Sequence, residues 1–292
     1  MATFAQWVQG ARPRTLPMAV APVIVGSAAA FGLGSFKPVN AILAALVAVM
    51  LQVGVNYAND YSDGIRGTDD HRVGPFRLVG AGAAAPGAVK RAAFISFGVA
   101  ALFGLALVML SQTWWLIIVG AASVLAAWGY TGGRRPYGYL GLGDLFVFVF
   151  FGLVATLGTT YTQALALSPA AWAGAIATGL IADALLMANN VRDIPTDRVA
   201  GKRTLAVRLG DRAARLSYPV MLAVAVVAAL VLAPSNPWML LVLALVPACI
   251  APSRTMLSGA AGPGLIPVLQ QTGFINLGFS ALFAVASVLG RA

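Results

Sequence analysis

Six of the nine acidic residues of this 292-residue chain, all nine of them Asp, fall in or directly after two short stretches. One reads Asn59, Asp60, Tyr61, Ser62, Asp63, with Asp69 and Asp70 following; the other runs Asn190, Val191, Arg192, Asp193, Ile194, Pro195, Thr196, Asp197. Carboxylates near hydrocarbon are costly, so acids at the ends of apolar segments are read first as functional. Asp193 and Asp197 are one helical turn apart, and Asn190 shares their face; Pro195 makes that geometry conditional on a continuous helix. Asn56, Asp60 and Asp63 repeat the pattern at spacings of four and three. Carboxylates one turn apart repel unless a cation lies between them. Hard oxygen donors select Mg²⁺, which gives Asp60, Asp63, Asp193 and Asp197 as candidate ligands with Asn56 and Asn190 beside them.

Cations accompany the acids. Arg12, Arg14, Arg72, Arg77, Arg134, Arg135, Lys202 and Arg203 lie in the same polar segments. Carboxylates, Mg²⁺ and Lys/Arg together are what a di- or triphosphate requires. No GxxxxGK[ST] pattern occurs, and Gly80-Ala81-Gly82 follows no strand, so neither nucleotide fingerprint is present. Asp183, ten residues before Asp193, lies some 15 Å deeper on a helix. It is a candidate for binding acceptor hydroxyls or for a paired structural role.

These residues need a membrane to hold them. The chain is 60% hydrophobic and only 10% charged. Nine apolar stretches approach the roughly 20 residues needed to span a bilayer: about 15–36, 39–58, 92–110, 114–131, 144–167, 170–190, 216–233, 237–253 and 265–289. Backbone in lipid must satisfy itself, so the expected fold is an all-α integral membrane bundle forming a single domain over 1–292. Residues 3–10, with Phe4, Trp7 and Val8, read as a short interfacial helix, and no signal-peptide cleavage site is evident. With nine spans, 17 of the 19 Lys and Arg fall on one side, leaving Lys37 and Arg291 on the other. That bias predicts a cytoplasmic N-terminus and puts the acidic loops on the cytoplasmic face. It also accounts for the net charge of +10 without nucleic acid. A single Cys and a single His exclude an intrachain disulfide and a thiolate- or His-rich metal centre.

A diphosphate at a membrane mouth points to a lipid diphosphate, whose allylic chain can leave a resonance-stabilised cation inside a water-excluding bundle. The chain resembles the UbiA-type intramembrane aromatic prenyltransferases. Asn59-Asp60-x₂-Asp63 is similar to their first motif, with Gly67 in place of its third Asp. The stretches Arg12 to Pro17, Asn56 to Gly64, Arg72 to Arg77, and Asn189 to Gly210 are similar to the 1,4-dihydroxy-2-naphthoate polyprenyltransferases of menaquinone synthesis. The resemblance implies nine helices around a central cavity in a bacterial cytoplasmic membrane, with the active site facing the cytoplasm. It implies transfer of a polyprenyl chain from a polyprenyl diphosphate to 1,4-dihydroxy-2-naphthoate, with loss of diphosphate and CO₂. The implied roles are Mg²⁺ at the four Asp residues, diphosphate at Lys202, Arg203 and Arg12 or Arg14, and a closing or carboxylate-binding loop at Arg72 and Arg77. Tyr130 is placed near the cation. Alternatives are the same fold with 4-hydroxybenzoate or homogentisate as acceptor, or a divalent-cation transporter.

Overall fold

A computed structural model describes residues 2–67, 76–133 and 135–291. Helix α1 (Phe4–Ala11) starts at a capping box in which Thr3 and Gln6 satisfy each other's backbone amides. It ends at Arg12, whose left-handed backbone (φ 53) turns the chain into α2 (Leu16–Gly32). There follow α3 (Pro38–Ile65), α4 (Pro86–Ser111), α5 (Leu116–Gly129), α6 (Gly143–Ala164), α7 (Pro169–Val199), the short α8 (Leu205–Leu209), α9 (Asp211–Leu230), α10 (Pro237–Leu257) and α11 (Gly262–Leu289). Proline opens α3, α4 and α7 in the first turn, where no amide partner is lost.

Among the described residues, eight segments are long and apolar enough to cross a membrane, the first being Phe4–Gly32 taken as one unit. The expected fourth span, 114–131, is a helix of only 14 residues, Leu116–Gly129. Trp114 and Trp115 precede it in a turn and Tyr130 begins the next, so the apolar run is longer than the helix inside it. Pro195 does not interrupt α7, so Asp193 and Asp197 keep one face. The first half of α10, Pro237–Leu245, is wound as a 3₁₀ helix.

One side of the bundle packs α7, α9 and α11 around Ile181, Met187, Tyr218, Phe279 and Phe283. Tyr218 donates to or accepts from Thr272 at 2.7 Å, which satisfies its hydroxyl inside the core. On the other side α3 and α4 pair extensively around Tyr57, Phe97 and Leu78. Between the halves lies a cavity of about 630 Å³.

The mouth and wall of the cavity

The cavity has a polar end and an apolar body. The end of α3 contributes Asn56, Asn59 and Asp63, and the end of α7 contributes Asn189, Asn190, Asp193, Thr196 and Asp197. Arg12, Arg77, Lys202, Tyr130 and Tyr139 complete this end. Deeper in, side chains such as Leu51, Val124, Phe150 and Val154 make the wall.

Asp63 is the hub of the polar end. Its carboxylate accepts from the Tyr139 hydroxyl at 2.6 Å, from Lys202 Nζ at 3.2 Å and from Arg77 Nη2 at 3.3 Å. Lys202 also lies 4.5 Å from the centre of the Tyr139 ring. Lys202 follows α7, so this contact ties the α7 side of the mouth to the end of α3. Asn59 accepts from the Thr131 hydroxyl at 2.7 Å, which fixes its amide orientation. Asp193 is gripped by its neighbour: Arg192 Nε meets one oxygen at 2.7 Å and Nη2 the other at 2.8 Å.

Several expected residues stand elsewhere. Asp60 is 1% exposed and does not line the cavity. Its two oxygens accept the backbone amides of Leu78 (2.6 Å) and Val79 (3.0 Å). Asn56 lines the cavity, and its Nδ2 is committed to Ala11 O (2.8 Å) and Thr15 Oγ1 (3.0 Å), holding the turn that carries Arg12. Arg14 and Arg203 are exposed and outside the cavity. Asp69, Asp70, His71, Arg72 and Arg134 lie outside the described residues. Tyr139, Thr131 and Asn59 were not among the expected site residues. For Asn59 the signal was its spacing of four to Asp63. For Tyr139 nothing in the sequence connects it to Asp63, because the contact spans 76 residues.

Asp183 is also absent from the cavity lining, although Ala182, Leu185 and Leu186 on the same helix are present. It is buried, and its Oδ1 has no hydrogen-bond partner among the described residues. An unsatisfied buried polar atom costs about 1–3 kcal/mol. Asp183→Leu, which removes that atom and keeps a similar shape, is therefore expected to raise the midpoint of thermal unfolding in detergent, by about 1 kcal/mol of stability. A lower midpoint means that the carboxylate has a partner it needs.

An aromatic series lines the neighbouring wall. Tyr130 meets Tyr137 edge-on at 5.5 Å, Tyr137 stacks on Phe146 at 4.0 Å, and Phe146 on Phe150 at 6.0 Å. Burial pushes the Tyr137 phenol above its usual range, so it stays protonated, and it donates to Ala126 O at 2.9 Å. Phe148–Val154 is a π-helical stretch of α6, a geometry often found at functional sites. It widens the turn that presents Phe150 and Phe151 to the cavity.

The donor set suits a hard divalent cation. Asn59, Asp63, Asn190, Asp193 and Asp197 offer only oxygen for coordination at the mouth. No three acids, His or Cys form a compact cluster among the described residues, because the carboxylates are divided between α3 and α7. That division fits Mg²⁺, which is typically held by one or two carboxylates together with substrate phosphates.

A family model for the UbiA prenyltransferase family matches residues 19–262. The chain is 53% identical, over 100% of its length and 99% of the relative's, to the 1,4-dihydroxy-2-naphthoate octaprenyltransferase of Mycobacterium tuberculosis (strain H37Rv). It is 45% identical to the enzyme of the same name from Escherichia coli (strain K12), covering 74% of this chain and 72% of that one. Among solved structures, the apo structure of a UbiA homolog from Aeropyrum pernix K1 superposes with a TM-score of 0.70 at 16% identity, covering 93% and 97% of the two chains. A UbiA homolog from Archaeoglobus fulgidus bound to DMAPP and Mg²⁺ gives 0.64 at 16% identity, covering 98% and 99%.

Proposed function

The chain belongs to the UbiA prenyltransferase family and is a membrane-integral prenyltransferase, and from that premise we propose that it transfers a polyprenyl group from a polyprenyl diphosphate to 1,4-dihydroxy-2-naphthoate. The observation that carries this reading is one cavity with an oxygen- and cation-rich mouth and an aromatic, apolar body. The names of the most similar relatives support the acceptor, and the ligands of the Archaeoglobus homolog support the donor class and the metal.

In this reading Asp63 with Asn59, and Asp193 and Asp197 with Asn190, would hold Mg²⁺, which when bound would neutralise charge on the departing diphosphate. Lys202, Arg77 and Arg12 share the remaining phosphate charge. The allylic C–O bond breaks with its electron pair going to diphosphate. The aromatic faces of Tyr130, Tyr137 and Phe150 are favourable neighbours for the cation left behind, and the apolar wall keeps water from it. The acceptor's ring carbon bearing the carboxylate forms the new bond. Loss of CO₂ returns the electrons of the broken C–C bond to the ring, so no ring proton needs a base. The basic-residue bias supports a bacterial cytoplasmic membrane with the mouth toward the cytoplasm.

The test is a membrane-fraction assay with dihydroxynaphthoate and a long polyprenyl diphosphate, in Mg²⁺ or EDTA. Mg²⁺-dependent demethylmenaquinol is expected. Turnover only with 4-hydroxybenzoate or homogentisate overturns the acceptor. In the same assay Arg12→Ala is expected to raise the diphosphate KM about tenfold, the scale of one charged hydrogen bond. Arg14→Ala, at an exposed position off the cavity, should change it less than about twofold. Equal effects from both would show that the left-handed turn at Arg12 does not select between them.

A further inference from the structure

Asp60 carries a feature that the proposed reaction does not use. It is the acidic residue most obviously placed for metal binding by sequence, yet both of its oxygens are occupied by backbone amides at 2.6 and 3.0 Å. Those amides belong to Leu78 and Val79, directly after Arg77, whose guanidinium reaches Asp63 at the mouth.

The turn is built around this contact. Leu78 is fully buried, and its carbonyl accepts from Ala83 N at 2.9 Å and Ala84 N at 3.0 Å. A Cβ on Gly10 would come within 2.7 Å of the Leu78 side chain, so α1 approaches the turn as closely as a glycine allows. A Cβ on Gly64 would likewise collide with Val79. Without the carboxylate, two buried amides would lose their acceptor, and carboxylates held by backbone amides make strong charge-assisted bonds. One turn earlier on α3, Asn56 holds the Ala11 carbonyl and so the turn of Arg12. Residues 56 and 60 therefore each anchor a segment that delivers an arginine, and of the two only Asn56 also lines the cavity, with Asn59 and Asp63.

We propose that Asp60 is a positioning residue rather than a metal ligand: it fastens the backbone of Leu78 and Val79 and thereby presents Arg77 to the substrate diphosphate. The proposal rests on the Mg²⁺–diphosphate reading of the mouth, and its test separates the two.

Full-length protein in nanodiscs is examined by amide hydrogen exchange, by Mn²⁺ binding without substrate using electron paramagnetic resonance, and by steady-state kinetics. Asp60→Asn is expected to speed exchange in 76–79 and to raise the diphosphate KM about tenfold, with kcat changed less. Mn²⁺ affinity should stay within about twofold, whereas Asp63→Asn weakens it about tenfold or more. Arg77→Ala should reproduce the KM rise, and the double variant should be no worse than Arg77→Ala alone. The proposal is overturned if Asp60→Asn weakens Mn²⁺ as Asp63→Asn does, if exchange in 76–79 is unchanged, or if the Asp60 and Arg77 effects multiply. Unaltered Mn²⁺ binding in Asp63→Asn would instead sink the metal reading, with exchange and the double variant still deciding the role of Asp60. If Asp60→Asn does not accumulate, Val79→Pro removes one of the two amide donors and so weakens the anchor from the other side. It should raise the diphosphate KM with Mn²⁺ binding intact, and an unchanged KM rejects the proposal.

Discussion

Asp63→Asn is expected to lower turnover by about a hundredfold to a thousandfold, the scale seen when one group that stabilises developing charge is removed. Asp63 accepts from Tyr139, Lys202 and Arg77 at once, so its carboxylate sets the position of two cations, in addition to the metal-ligand role proposed for it. The amide of Asn keeps one acceptor oxygen and turns an NH₂ toward Lys202 or Arg77. Asp197→Asn, on the opposing helix, should cost a similar factor. Raising Mg²⁺ separates the contributions: a loss of metal affinity is partly recovered at high Mg²⁺, and a misplaced cation is not. Lys202→Ala is the comparison, because its defect should appear in the diphosphate KM and stay insensitive to Mg²⁺. If Asp63→Asn turns over normally at every Mg²⁺ concentration, the metal does not sit at the end of α3.

The membrane helices and the two carboxylate-bearing ends were legible in the sequence because hydrocarbon thickness and backbone satisfaction leave few alternatives. Which residue of a pair faces inward was not. On α3, Asn59 lies about 40° to one side of Asp63 and Asp60 about 60° to the other. Spacing alone is compatible with either as its partner. The choice is made by the 76–79 turn, which captures Asp60 and leaves Asn59 to the cavity. Arg12 and Arg14 were equivalent for the same reason, until the left-handed backbone at Arg12 sent one inward and left the other exposed. Asp183 shares the helical face of Asn190 by spacing, yet it is buried and absent from the cavity lining. The Tyr139 hydroxyl depends on a 3₁₀ turn, Tyr137–Leu140, that brings a loop residue onto α3. These outcomes depend on contacts between segments far apart in the chain, which periodicity does not report.

Arg192→Met is expected to produce the largest loss of stability among the substitutions at the mouth. The Arg192 side chain is 1% exposed, and its guanidinium grips both oxygens of Asp193 while donating to Asn189 Oδ1 at 2.8 Å. Removing one partner of a buried ion pair leaves the other charge uncompensated, at a cost of about 3–5 kcal/mol. Methionine fills much of the space, so the loss reflects charge more than a cavity. The size of the effect should depend on the metal. A divalent cation beside Asp193 supplies positive charge from the cavity side, and a ligand that binds the folded state stabilises it in proportion to its occupancy. Thermal unfolding of the variant should therefore show a smaller deficit in Mg²⁺ with diphosphate than in EDTA. Equal deficits in both conditions would mean that Asp193 is held by Arg192 for structure alone, leaving Asp63 and Asp197 as the carboxylates that receive the metal.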